Sequence, residues 1–388
     1  MSERRRAPPP TIRGVLIPYG RQSISDEDVE AVVAVLRGER LTQGPAVAAF
    51  EEAVAAACDV PYAVAFSSGT AALHGAAFAA GVAPGDEVVT SAITFAASAN
   101  CAAYLGAVPR FADIERATWN VGAETVAAAV SERTRAVVPV HFAGLPAPVA
   151  EIRAAVGDEV RIVEDAAHAL GALTPDGPVG ACRHADMAVF SFHPVKAITS
   201  AEGGMVTTRD PGLRDRLALF RTHGIRRAGG DRGGWVQEQH ALGFNYRLSD
   251  VHSALGRSQT TRLEAFIAER NAVAARYRAA LADVDALELP PAPPDGTRHA
   301  YHLFVVRHRD GAPARRVLYD RLHAAGVLAQ VHYLPVYRHP YYEETWGYEA
   351  GLCPEAERYH DGCLSLPCYP GLGEEDQDRV IAAVKEAV

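Results

Sequence analysis

The chain has 388 residues, with 38 basic against 47 acidic side chains and a formal net charge of −9. That balance excludes a protein held on nucleic acid or anionic lipid by bulk charge. Apolar residues at 48% and charged residues at 22% exclude collagen-like, coiled-coil and disordered architectures, and the length suits two or three domains or one large α/β domain with an appendage.

Residues 1–16 are Arg-rich, then Pro-rich, with no apolar run behind them, which reads as a disordered tail rather than a signal peptide. Ser25-Asp-Glu-Asp28, followed by Val29, Val32, Val33 and Leu36 and closed by Gly38, predicts a capped amphipathic helix. From there short β-rich runs alternate with Ala/Leu-rich ones. Strands are expected at 62–66, 87–90, 108–111, 135–141, 160–164, 187–192 and 205–208, and helices at 70–80, 123–131 and 148–156. The alternation implies an α/β domain with a mostly parallel sheet covered on both faces. The uncharged stretch 88–109 is too rich in Ala, Ser, Thr and Asn for a membrane span, so the expected location is the cytoplasm.

Residues 248–284 contain no proline and read as one long helical stretch. A Pro/Asp/Gly break at 289–297 follows, then a strand at 302–306, a helix at 313–325, a strand at 327–332 and a helix at 374–388. The expected organisation is a large α/β domain over 17–260 and a small C-terminal α+β domain over 261–388. The six cysteines, Cys58, Cys101, Cys182, Cys353, Cys363 and Cys368, contain no C-x-x-C pair. The last three lie near His360, but intervals of nine and four residues match no zinc module, so no metal is expected and buried thiols are.

Four segments carry chemistry. Val163-Glu-Asp165-Ala-Ala-His168 is an apolar strand ending in acids at the sheet edge where open α/β folds bind ligands. Asp165 there suits a buried cationic ring nitrogen, with Glu164 on the opposite side of the strand; a helix N-cap is the competing role for Asp165. Phe190-Ser191-Phe-His193-Pro-Val-Lys196, followed by Glu202-Gly-Gly204, brings an amine and a hydroxyl to the same edge. Against thirty-six arginines the chain has only two lysines, Lys196 and the C-terminal Lys385. Lysine, unlike arginine, can lose its proton and form a Schiff base. Ser67-Ser-Gly69-Thr70 is a strand-to-helix turn suited to an anion. Thr94-Phe95 offers an aromatic face to a planar ligand. A carboxylate, an amine, a hydroxyl and a phosphate-binding turn, all at strand ends, match pyridoxal 5′-phosphate above other cofactors.

With these residues in view, the sequence resembles the DegT-type nucleotide-sugar aminotransferases, which have the fold-type I, aspartate-aminotransferase-like architecture. Within the family it is similar to the pseudaminic acid branch, through Leu41-Thr-Gln-Gly44, Ser191-Phe-His193, Thr199-Ser-Ala-Glu-Gly-Gly204, Gly326-Val-Leu-Ala-Gln-Val-His-Tyr333 and Ser365-Leu-Pro-Cys368. The resemblance implies that Lys196 is the Schiff-base lysine, that Asp165 pairs with the pyridinium nitrogen, and that His168 sits beside the cofactor's phenolic oxygen. It gives the phosphate to Gly69, Thr70 and Ser191 and the ring face to Phe95. Asn245, in Gly243-Phe-Asn-Tyr-Arg247, would reach the phosphate bound by a neighbouring subunit, so the resemblance also implies a homodimer with shared sites.

Thr42, Gln43, His332 and Tyr333 fall where the family contacts the nucleotide-sugar; His332 fits equally a satisfied strand histidine. The implied reaction is a ping-pong transamination from glutamate to C4 of a 4-keto-6-deoxy sugar nucleotide. A dTDP-linked or D-configured UDP-sugar is the alternative acceptor. A dehydratase of the same family would carry histidine in place of Lys196. A non-catalytic sensing protein on this fold is the competing class, and a transcriptional regulator finds no DNA-binding module. The Arg-rich tail and the 231–235 loop match no family role.

Overall fold

The computed structural model describes residues 16–228 and 234–388. The expected disordered tail, apart from Leu16, and most of the 231–235 loop therefore lie outside the described residues. No helix among them is long and apolar enough to cross a membrane.

A seven-stranded sheet organises the first two thirds of the chain. Its strands are β1 (Tyr62–Phe66), β2 (Glu87–Ser91), β3 (Val108–Ala112), β4 (Thr134–Val138), β5 (Arg161–Asp165), β6 (Met187–Ser191) and β7 (Gly204–Thr208), in the spatial order β1-β7-β6-β5-β4-β2-β3. Pairings from β3 to β6 are parallel; β7 runs antiparallel to both β6 and β1. The mostly parallel sheet expected from the alternating pattern is present, and β7 is its one reversed strand.

Alternate residues face opposite sides, as a pleated strand requires. Val163, Val189 and Val206 face the helix Gly69–Ala79, whereas Ala188, Phe190 and Met205 pack against Phe50, Val54, Phe266 and Ile267. Ile162 and Val137 turn to a third cluster with Val126 and Ile152 from the helices Ala123–Ala129 and Val149–Val156. Each fully buried aliphatic or aromatic side chain contributes roughly 1.5–3 kcal/mol of transfer free energy. The helix Gly69–Ala79 is small and apolar all round because it lies between the sheet and Phe220, with little left for solvent.

A second core is built on a three-stranded antiparallel sheet of β8 (Leu287–Glu288), β9 (Phe304–His308) and β10 (Cys363–Leu366), backed by the helices Ala312–Ala324 and Glu374–Ala387. Ile17–Pro18 pairs in parallel with Val327–Leu328, so the N-terminal strand joins the C-terminal core.

Two expectations need correction. The stretch 248–284 is two helices, Asp250–Thr260 and Leu263–Leu281, broken at Arg262, whose guanidinium turns back to Asp28. The break allows a change of packing: the first helix lies on Asp26–Leu36 and Pro45–Ala57, and the second connects the two cores. Leu263, Phe266 and Ile267 pack in the large core, and Val273, Ala274, Tyr277 and Leu281 in the small one. The strand expected at 327–332 ends at Leu328, because its partner Ile17–Pro18 offers two residues of edge; His332 and Tyr333 then leave the sheet for the cavity described next.

Candidate active site

A cavity of about 350 Å³ opens at the C-terminal ends of β5 and β6, between the two cores. Its lining includes Gly69, Thr70, Phe95, Asp165, His168, Ser191, Lys196, His332 and Tyr333. These sequence-predicted residues come from five separate segments. Thr42, Gln43 and Asn245 do not line it: all three are exposed, Thr42 bridging to Ser249 and Asn245 to Thr222.

Asp165 ends β5 with its side chain buried. Oδ2 accepts the Ser98 hydroxyl at 2.6 Å and Oδ1 the Ala167 amide at 3.1 Å. No helix starts after Asp165, so the N-cap role is not met; its contact with the Ala167 amide is a local turn, compatible with a place in the cavity because each oxygen has a second lone pair. Ser98 is held in turn by Thr94, with 2.7 Å between the hydroxyl oxygens. Glu164 points to the other side of the strand and meets His141 Nε2 at 3.0 Å.

Lys196 follows β6 in a loop beside Asp165. Burial pushes its ammonium down to about 8; the Asp165 carboxylate pulls the other way and the Arg270 guanidinium adds to the depression. A substantial fraction of free amine near neutral pH is what a nucleophilic or proton-transferring lysine requires. Arg270 is fully buried, and its guanidinium donates to the carbonyls of Val195, Lys196, Tyr301, His302 and Cys368 at 2.7–3.4 Å.

The anion cradle depends on close approach. Ser68 caps the helix Gly69–Ala79 by accepting the Ala71 amide at 3.1 Å, which leaves the Gly69 and Thr70 amides without intrahelical partners. A Cβ on Gly69 would stand 2.9 Å from Ser191 Cβ, so only glycine lets the helix terminus meet the Ser191 hydroxyl. A Cβ on Gly204 would stand 2.3 Å from the Ser68 carbonyl oxygen, which gives Gly204 a packing role at the start of β7.

The opposite wall is aromatic and histidine-rich. Tyr333 Oη lies 3.4 Å from His168 Nε2, Tyr333 and Phe95 rings are 6.4 Å apart, and His332 Nδ1 lies 2.8 Å from Ser365 Oγ. Burial, reinforced by Lys196, lowers His332 to about 4 and holds His168 well below its ordinary value, so both imidazoles are neutral. The Tyr333 phenol is pushed up by burial and is likewise neutral.

These residues fit pyridoxal 5′-phosphate on structural grounds. A buried carboxylate and a depressed lysine face one cavity, a glycine-dependent helix terminus adjoins a serine hydroxyl, and His168 Nδ1 is buried with no hydrogen-bond partner among the described residues. The model of the DegT/DnrJ/EryC1/StrS aminotransferase family matches residues 22–385. The chain belongs to that family.

It is 36% identical to the spore coat polysaccharide biosynthesis protein SpsC of Bacillus subtilis, over 97% of this chain and 98% of the relative. Helicobacter pylori PseC, an aminotransferase involved in the biosynthesis of pseudaminic acid, superimposes with a TM-score of 0.89 at 30% identity, over 96% of this chain and 99% of that one. The putative sugar aminotransferase Spr1654 of Streptococcus pneumoniae, solved in its PMP form, does so with a TM-score of 0.89 at 26% identity, over 96% and 97% of the two chains. This member of the family is a pyridoxal-phosphate-dependent aminotransferase with the fold-type I architecture.

Four lining or supporting residues escaped the sequence reading. Ser98 was detectable in principle, four residues after Thr94 and so on the same helical face. Tyr19, whose ring lies 5.2 Å from that of His332, arrives from the N-terminal strand. His302 reaches the cavity from the residues preceding β9. Arg270 carries no local signal, because one arginine in a helix of an arginine-rich chain looks like any other.

Proposed function

We propose that the protein transfers an amino group from glutamate to C4 of a nucleotide-linked 4-keto-6-deoxy sugar, as a PseC-type enzyme acting on UDP-2-acetamido-2,6-dideoxy-β-L-arabino-hex-4-ulose in pseudaminic acid biosynthesis. The observation that carries the transamination chemistry is the convergence of Lys196, Asp165 and the Gly69–Ser191 contact on one cavity. The likeness to PseC and the family segments around Thr42, Gln43, His332 and Tyr333 support the sugar. The expected alternative is a dTDP-linked or D-configured UDP-sugar.

When bound, the cofactor supplies an electron sink and a temporary carrier for the amino group. Gly69, Thr70 and Ser191 would hold its phosphate, Asp165 would keep the pyridine nitrogen protonated, His168 would serve the phenolic oxygen and Phe95 would cover the ring. The Lys196 amine would anchor the cofactor and, as a free amine, would take up the proton of the donor's α-carbon and give one back. Its depressed basicity suits both directions of that transfer. His332 and Tyr333 are neutral donors or acceptors for the sugar.

Asn245 sits on an exposed surface with Phe244 and Leu242, which supports a homodimer in which it serves a partner's site. The same reading places the protein in the cytoplasm, where sugar nucleotides are made.

The test is an absorbance spectrum of the protein reconstituted with cofactor, repeated after L-glutamate and on Lys196→Ala. A band near the visible edge that converts to the pyridoxamine form with glutamate, and is absent from the variant, supports the first half of the reaction. Panels of UDP- and dTDP-linked 4-keto sugars then decide the second. Preferential turnover of a dTDP sugar would overturn the PseC-type assignment, and no turnover with any donor would favour a sensing protein.

A further inference from the structure

Two buried imidazole nitrogens at the cavity, Nδ1 of His168 and Nδ1 of His302, have no hydrogen-bond partner among the described residues. Their rings are packed on each other, with centroids 4.2 Å apart and planes inclined at 33°, and each residue is only 6% exposed. His168 follows β5 of the large sheet; His302 precedes β9 of the small one. The two arrive from different cores.

The other ring centroids around His168 are more distant. Its Nε2 is 3.4 Å from Tyr333 Oη, the Tyr333 ring centroid is 6.3 Å away, and that of Phe142 is 6.2 Å away. Among the ring contacts of His168, that of His302 has the shortest centroid separation. His302 is itself tied to the reacting lysine through one guanidinium: Arg270 Nη1 donates to the His302 carbonyl at 3.4 Å, and Nη2 to the Lys196 carbonyl at 3.3 Å.

We propose that His302 is a positioning residue that, stacked on His168, fixes the plane of that imidazole so that His168 meets the cofactor in a single orientation. The inference rests on the reading that places His168 beside the cofactor. The electrostatics agree with it: the groups acting on His302 are His168, Lys196, Arg270 and His332, and each opposes a positive charge there, in addition to burial. Two neutral rings can stack at this distance, whereas two buried cations would repel.

A double-mutant cycle on the full-length protein tests the proposal. The readouts are cofactor affinity by equilibrium dialysis and the pH midpoint of the absorbance band of lysine-linked cofactor, for His168→Ala, His302→Ala and the pair. Each single variant is expected to weaken affinity about tenfold and move the midpoint in the same direction, with the double variant no worse than His168→Ala alone. His302→Phe, which retains a stacked ring without nitrogens, should remain within about threefold of the parent.

Parent-like affinity and midpoint in a folded His302→Ala protein, or losses that multiply in the double variant, would overturn the proposal. If His168→Ala alone changes neither readout, the placement of His168 beside the cofactor fails, and this inference fails with it. Should His302→Ala not fold, His302→Phe and His302→Gln replace it. A near-parent Phe variant with an impaired Gln variant supports positioning by the ring, and any other pattern overturns it.

Discussion

The hydroxyl of Ser98 donates to Asp165 Oδ2 at 2.6 Å, so the carboxylate that lines the cavity is oriented by a helix packed across from its own strand. The Ala167 amide holds only the other oxygen. A hydrogen bond to a charged group contributes about 1.5–3 kcal/mol, and removal of the serine hydroxyl leaves Asp165 freer to rotate. Ser98→Ala is therefore expected to weaken cofactor binding by about 10- to 100-fold, with little change in secondary structure. Parent-like affinity by equilibrium dialysis would show that the Ala167 amide suffices.

The depressed basicity of Lys196 predicts a pH profile. Capture of pyridoxal phosphate by the cofactor-free protein requires the free amine, so its rate should rise with pH up to about 8 and level off above it. Stability has the same sign. Between about 8 and the ordinary lysine value the unfolded chain binds the proton that the folded chain has lost, so the contribution of Lys196 to stability rises with pH across that window. Stopped-flow capture rates that keep climbing to pH 10 would contradict the depression; a Lys196→Met protein should lack the stability increment.

Gly204→Ala tests the turn from the other side. The added methyl carbon would meet the Ser68 carbonyl oxygen at 2.3 Å and the Gly69 amide nitrogen at 2.8 Å, both backbone atoms. Overpacking of this kind typically costs about 1–3 kcal/mol. The expected result is a lower unfolding midpoint in urea together with weaker retention of inorganic phosphate and of cofactor. A stability loss without an effect on either ligand would separate the glycine from the anion cradle.

Arg270 joins the lysine loop, the chain before β9 and Cys368 through five backbone carbonyls. Arg270→Lys keeps a positive charge but loses the planar fork that reaches all of them. Leaving buried carbonyls unpaired costs about 1–3 kcal/mol each, so the variant is expected to lose at least about 2 kcal/mol in chemical denaturation. An unchanged denaturation midpoint would mean that water replaces the guanidinium.

Much of this was legible in the sequence because it is written in local pattern. The seven strands of the large sheet are apolar runs between helix-forming segments, and the structure moves their ends by only a few residues; the run 135–141, for instance, pairs as Thr134–Val138. Two boundaries were less accessible. The break at Arg262 depends on a partner, Asp28, more than two hundred positions away, and a proline-free run contains no trace of it. The short pairing of Val327–Leu328 depends on the two-residue strand Ile17–Pro18 at the far end of the chain.

The site divides along the same line. Asp165 at a strand end, the lone mid-chain lysine at 196 and the small-residue turn at Ser68–Gly69 are chemical choices visible residue by residue, and the sequence by itself determined the cofactor class and singled out the residues proposed to hold it. Only the tertiary structure decided which groups surround them. Ser98 reaches Asp165 by packing across helix and strand, His302 reaches His168 from the other core, and Arg270 reaches Lys196 from a helix shared by both. The physical reason is that hydrogen bonds and ring contacts act over a few ångströms of space, at sequence separations no periodicity records. Thr42, Gln43 and Asn245 mark the same division from outside, because they lie exposed on this chain, away from its cavity.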